Sequence, residues 1–166
     1  MSVLNSWQFH KFEAYHIQQL LAIEEEVYND PWNHDDFSDP QLEGIVGTDK
    51  YGAIIGYCLY VQLYEIIAGI RHTAEIDILS VTVAYSHRSM GMATSMLNKV
   101  LEMHNHNVTV QTIANNLPAQ KLFRKAGFIC NKISNECYRN GNEIETYNFI
   151  YRPEWKSIEN QLEAIV

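Results

Sequence analysis

The chain has 166 residues, 46% of them hydrophobic and 19% charged, which is enough apolar side chain for one packed core and too much for a disordered chain. Twenty acidic residues oppose twelve basic ones, giving a formal charge of −8 that repels a polyanion. Extended nucleic-acid binding is therefore not expected, and a cationic or amine partner suits the surface better.

The opening segment, MSVLNSWQFHKF, lacks the basic start and apolar run of a signal peptide. Within it, residues 7–12 alternate like a short strand. Residues 14–28 carry Ile17, Leu20, Leu21 and Val27 at helical spacing. Pro31 breaks that helix, and Asn33 is placed to cap a short second one. Residues 51–64 are β-rich, with glycines that suggest a bulge or bend. The apolar run GAIIGYCLYV within them is too short and too rich in tyrosine to span a membrane. Residues 74–83 form the next strand and lead into a helix from about Gly91 to Met103. Residues 107–114 alternate as a strand. Residues 116–127 read as a helix, with Pro118 in its first turn and Gly127 at its stop. Two further strands, FICNKISNECY and EIETYNFIY, are joined through Asn140-Gly141, a strong hairpin signal. The C-terminal residues from Pro153 are amphipathic and read as a small helix.

No repeat, linker or low-complexity segment divides the chain, so residues 1–166 are expected to form one domain. The order of elements gives an α/β layer: a mixed, mostly antiparallel sheet flanked by helices, with a βαβ unit at its centre. Three cysteines, Cys58, Cys130 and Cys137, have neither metal-ligand nor disulfide-framework spacing. A reduced, cytoplasmic protein without a metal is the expectation.

The strand ending at Val83 opens into a helix through Arg88, Ser89, Met90, Gly91, Met92 and Ala93. Backbone N–H groups at a helix start attract phosphate, and small residues at Gly91 and Ala93 let a pyrophosphate approach the backbone. Arg88 could add a charged contact. A plain tight turn needing positive φ at Gly91 explains the glycine as well. The loop is no P-loop, since no Gly-Lys-Ser/Thr follows, and it lacks the third glycine of a dinucleotide fingerprint.

A second segment, NNLPAQKLFRKAGF, lies one strand later at Asn115 to Phe128. Together, RSMGMA and NLPAQKLF…GF resemble the GNAT superfamily of acyl-CoA-dependent N-acetyltransferases. That family has a Gln/Arg-x-x-Gly-x-Gly/Ala loop after a strand, followed by Asn-x-x-Ala-x-x-Leu-Tyr and Gly-Phe. Within it, the Pro-Trp after the first helix and the final strand hairpin are most similar to the protein N-terminal alanine acetyltransferases of the RimI type. Acetyltransferases of amino-sugar nucleotides resemble the second segment about as well.

The resemblance implies the GNAT fold, acetyl-CoA as co-substrate and direct acetyl transfer to a primary amine. That amine would be a protein N-terminus or a small molecule such as an amino sugar. It also implies that Val81, Thr82 and Val83 lie along the pantetheine arm, that Arg88 to Ala93 hold the pyrophosphate, and that Asn116 contacts the cofactor. Asn116 serves equally as a helix N-cap. The basic cluster Lys121, Arg124 and Lys125 could meet CoA phosphates or form a solvated helix face.

Two family positions are changed. The tyrosine that serves as acid is Phe123, and the glutamate of the N-terminal alanine group is Gln111. Neither side chain can carry the proton. Glu75 and Asp77, two apart on one strand and so on one face, are candidate substitute bases, and Tyr138 is a candidate acid. Solvent exposure for Glu75, a hydrogen bond to a neighbour for Asp77 and aromatic packing for Tyr138 are the plainer roles. A non-catalytic acyl-CoA-binding module is the rival expectation.

The acids Glu24 to Glu26, Asp30, Asp35 and Asp36 surround Trp32 and could receive a cationic acceptor, or simply form a solvated face. His104 and His106 are two apart near a helix end and do not share a helix face, so a metal is not expected there. His87 is expected to face solvent. The terminal hairpin or the final SIENQLEAIV could pair subunits as a homodimer. No membrane partner is expected.

Overall fold

β1 (Gln8–Lys11) pairs antiparallel with β2 (Glu43–Thr48), from Gln8 opposite Thr48 to Lys11 opposite Ile45. This comes from a computed structural model that describes residues 7–137 and 143–155. Two units are present. The first holds the described residues up to Val61 together with Leu79–Val100; the second holds Gln62–Ile78 and the described residues from Leu101 onward.

In the first unit, a single 3-10 turn (Ala14–His16) leads into α1 (Ile17–Val27). Ile17, Leu20 and Ile23 recur on one face of α1 and are buried with Phe12, Phe37, Leu42, Val46, Tyr57 and Leu59. Truncating one of these, such as Leu20→Ala, would cost about 2–5 kcal/mol. α1 ends where Tyr28 turns extended, and Pro31 prevents any continuation. The expected cap at Asn33 is present on α2 (His34–Phe37): its side chain accepts from the N–H groups of Asp35 and Asp36.

β2 pairs antiparallel with β3 (Ile54–Ile67). The register skips between Gly47 and Thr48, so Gly47 faces Gly56 and Thr48 faces Ile54; the expected bulge lies beside Gly56. A Cβ at Gly47 would collide with Met92 Cε, the first residue of α3 (Met92–Met103). That methyl is the flexible end of the side chain, and Met92 is buried with Met96, Leu97 and Val100. The strand order in this unit is β1-β2-β3-β4, where β4 spans Ile70–Val83.

In the second unit the order is β3-β4-β5-β7-β6, with β5 (Asn107–Ile113), β6 (Ile129–Cys137) and β7 (Glu143–Tyr151). β4 and β5 are parallel, with Glu75 opposite Asn107 and Asp77 opposite Thr109. The β5–β7 and β6–β7 pairs are antiparallel. α4 (Leu117–Lys125) lays Phe123 against Phe128 and Phe149 at centroid separations of 5.9 and 5.6 Å.

The seven strands make the expected mixed, mostly antiparallel α/β sheet with its parallel βαβ step. Two features differ from the sequence expectations. β2 was not anticipated, because EGIVGT carries two glycines. β3 and β4 also run further than expected, to a tight turn at Ala68-Gly69 where both φ angles are positive, 51° and 79°. Such a two-residue turn suits a hairpin, but alanine there gives no turn signal. The Asn140-Gly141 turn and the helix expected after Pro153 lie wholly or mostly outside the described residues. Among the described residues, no helix is long and apolar enough to cross a membrane, and no group of three or more His, Cys, Asp or Glu is placed to hold a metal.

Candidate active site

In the first unit, β4 ends in Val81, Thr82 and Val83, with Thr82 and Val83 buried. Ala84 N–H donates to Ile55 O at 3.0 Å, the last rung towards β3. A 3-10 turn over Tyr85–His87 follows and is held by Glu26 of α1, whose carboxylate accepts from Tyr85 N–H at 2.8 Å. Arg88 folds back: its Nε donates to Val83 O at 3.0 Å, and its guanidinium lies 4.0 Å from the Tyr85 ring centroid.

The loop then takes two left-handed residues, Ser89 at φ 61° and Gly91 at φ 89°. Ser89 is a non-glycine residue in that region, where single residues carry a steric cost. Ser95 N–H is the first in this helix to find a partner, on Gly91 O at 3.0 Å. Among the described residues, no acceptor takes the backbone N–H of Ser89, Met90, Gly91, Met92, Ala93 or Thr94. Six donors thus gather at the positive end of a twelve-residue helix, beside an arginine. A Cβ on Gly91 would meet nothing within 4 Å, so this stretch of backbone is open to an incoming group. These residues fit a phosphate or pyrophosphate.

Behind the end of β4 lies a network of hydroxyls. Tyr28, at the end of α1, is hydrogen-bonded to Thr82 Oγ1 at 3.0 Å, and Ser80 Oγ meets the same atom at 2.9 Å. Tyr57 of β3 donates to Glu24 Oε1, while Glu24 Oε2 accepts from Trp32 N–H at 2.7 Å. Glu24 is 2% exposed, so it belongs to a buried polar cluster and not to a solvated acidic face. Burial, and then the Glu24 carboxylate, push the Tyr57 phenol far above its ordinary value. Burial also raises Tyr28, opposed by its bond to Thr82. Both phenols stay protonated at neutral pH.

The remaining candidates belong to the second unit. Glu75 and Asp77 do share a sheet face: Thr109 Oγ1 lies 3.2 Å from Glu75 Oε1 and 3.0 Å from Asp77 Oδ1. Its single proton serves one carboxylate at a time. Burial raises the Asp77 pKa, and the Thr109 bond partly offsets this. Asn116 caps α4, accepting from Ala119 N–H at 3.2 Å. Phe123 is buried against the rings of Phe128 and Phe149. Gln111 donates to Thr146 Oγ1 at 2.9 Å and to Glu136 Oε1 at 3.4 Å. Tyr138 lies outside the described residues.

Tyr28, Tyr57 and Ser80 were not singled out from sequence. Periodicity cannot reveal them, because their link is made through Thr82 and Glu24, which lie 58 positions apart in the chain.

The acetyltransferase (GNAT) family profile matches residues 7–128. Among solved structures, NAA60 from Arabidopsis thaliana in complex with acetyl-CoA superposes with a TM-score of 0.75 at 16% identity, covering 89% of this chain and 99% of that one. The ribosomal-protein-S18-alanine N-acetyltransferase from Escherichia coli gives 0.71 at 16% identity, covering 87% and 92%. Ard1 from Thermoplasma volcanium gives 0.71 at 15%, covering 87% and 96%. At these identities the likeness is one of fold. Comparison with curated proteins gives no match. The matched span contains β4, the donor-rich loop and α3, and the chain belongs to the acetyltransferase (GNAT) family.

Proposed function

We propose that the chain transfers an acetyl group from acetyl-CoA to a primary amine, and that the amine is a protein or peptide N-terminus, as in the RimI-type enzymes it resembles. The observation carrying the donor half is the run of six unused N–H groups from Ser89 to Thr94 at the start of α3. A pyrophosphate would take these donors, with Arg88 adding charge. The pantetheine arm would lie along Val81 to Val83, and Asn116 would contact the cofactor as well as cap its helix. The family, and a neighbour of the same fold solved with acetyl-CoA, support this assignment.

The amine must be neutral to attack the thioester carbonyl, so a base must take or share its proton. Asp77 is our choice of base, with Glu75 beside it, because burial already disfavours its charged form. For the acceptor, the exposed acids Glu25, Asp30 and Asp35 around Trp32 favour a cationic group. The alanine acetyltransferase among the structural neighbours supports a protein α-amine. A small amine or amino sugar is the alternative. A second reading, acyl-CoA binding without catalysis, is favoured by Phe123 and Gln111, which stand where the family's proton carriers would be. A cytoplasmic location is part of the proposal and rests on the cysteine pattern.

Thiol release from acetyl-CoA over peptides, polyamines, aminoglycosides and amino sugars tests it. Turnover with peptides alone supports the α-amine reading, and turnover with one small-amine class replaces it. Asp77→Asn should slow transfer about 10²-fold or more while acetyl-CoA still binds. Tight CoA binding with no turnover on any amine would leave the binding-module reading in place.

A further inference from the structure

We propose that Tyr28 is the group that hydrogen-bonds and protonates the departing sulfur of the acyl donor, and that Thr82 and Ser80 resupply its proton. The inference rests on the reading that the donor arm runs along the end of β4. Three observations carry it. The family's acid position is Phe123, buried among rings and without a proton to give. Tyr28 places a phenol on Thr82 Oγ1, inside the Val81–Val83 stretch assigned to the donor arm. The residue is nevertheless 42% exposed, so an incoming group can reach it.

The hydroxyls can point one way. Ser80 donates to Thr82 at 2.9 Å and Thr82 donates to Tyr28 at 3.0 Å, which leaves the Tyr28 proton free to point outward. Tyr57 directs its own proton to Glu24, and its oxygen is a second partner for the Thr82 hydroxyl. Glu26, on the same turn of α1, holds Tyr85 N–H and fixes the helix end that carries Tyr28.

The step balances as follows. The amine nitrogen bonds to the thioester carbonyl carbon. The C–S bond then breaks, with its electron pair staying on sulfur. The Tyr28 proton passes to sulfur, Tyr28 recovers one from Thr82, Thr82 from Ser80, and Ser80 from water. The surplus proton on nitrogen leaves through water. A phenol is a weaker acid than a thiol, so the transfer is late and the hydrogen bond to developing thiolate charge supplies most of the effect.

The test uses the full chain with acetyl-CoA and hydroxylamine, a small acceptor that needs no acceptor pocket, and follows thiol release. Acetyl-CoA affinity is measured separately by calorimetry, and folding by thermal melting. Tyr28→Phe should lower kcat about 10²-fold with the acetyl-CoA Kd changed less than about threefold. Thr82→Val should lower kcat about 10-fold, and Thr82→Ser, which keeps the hydroxyl, should retain most of it. Unchanged kcat in Tyr28→Phe overturns the proposal, as does a parallel loss of affinity, which would make Tyr28 a packing or binding residue. An inert Thr82→Val overturns the relay. If the wild type binds acetyl-CoA but releases no thiol, the proton-donor role fails while the donor-site reading stands. If it does not bind acetyl-CoA, the donor-site reading itself fails.

Discussion

Tyr57→Phe removes one oxygen from the most buried polar cluster of the first unit. The ring should stay in place, because Phe37 meets it edge-on at 6.0 Å and both side chains are essentially inaccessible. What is lost is the hydroxyl that donates to Glu24 Oε1, leaving that oxygen unpaired at a residue 2% exposed, while Trp32 N–H still serves the other oxygen. A hydrogen bond to a charged group contributes about 1.5–3 kcal/mol, and stranding its buried partner brings the cost towards about 3 kcal/mol. For a chain of this length that lowers Tm by roughly 6–12 °C. Urea unfolding at pH 7 gives the change from the midpoint at constant slope. Tyr57→Phe, Glu24→Gln and the double variant form a cycle whose coupling should be about 1.5–3 kcal/mol. A Tyr57→Phe cost below about 0.5 kcal/mol with no coupling would show that the pair is hydrated, contrary to the burial on which the estimate stands.

Alkaline pH should unfold the first unit. Burial pushes Cys58 and Tyr60 up to about 12 and Tyr57 beyond that. Each group holds its proton more tightly folded than unfolded. The stability is therefore full below the unfolded pKa values, about 8.5 for Cys and 10 for Tyr, and falls as pH rises through the window above them. Melting between pH 8 and 12 should show a loss of about 1.4 kcal/mol per pH unit for each group in its window; a flat profile to pH 12 contradicts their burial. Gly91→Ala forces a side chain into φ 89°, costing about 1–2 kcal/mol, and should weaken acetyl-CoA binding by roughly tenfold. Calorimetry showing unchanged affinity would remove this loop from the donor site. Phe123→Tyr puts a hydroxyl among Phe128 and Phe149; it should cost about 1–3 kcal/mol and should not raise kcat, whereas a faster enzyme would locate the acid there.

What could be read from the sequence follows from the range of each signal. The loop from Arg88 to Ala93 and the cap at Asn116 are local patterns. A positive φ at Gly91 and a side-chain acceptor before Ala119 are set within a few residues, and both are present. Glu75 and Asp77 share a face because strand side chains alternate, and Thr109 meets both. The extended β3–β4 hairpin was missed because alanine at a positive-φ position carries no turn signal. Glu24 was misread for a different reason. Three consecutive glutamates look like a solvated face, yet a helix sends neighbours in different directions, and the first of the three shares the buried stripe of Ile17 and Leu20. Once Glu24 is inside, it needs donors. Trp32 N–H and Tyr57 supply them, and together they tie the end of α1 to β3. That brace holds the helix end from which Tyr28 reaches Thr82. Position 123 can therefore be phenylalanine without leaving the chain short of a phenol beside the end of β4: the tyrosine comes from α1 and not from α4, and a motif search at the usual place would not find it.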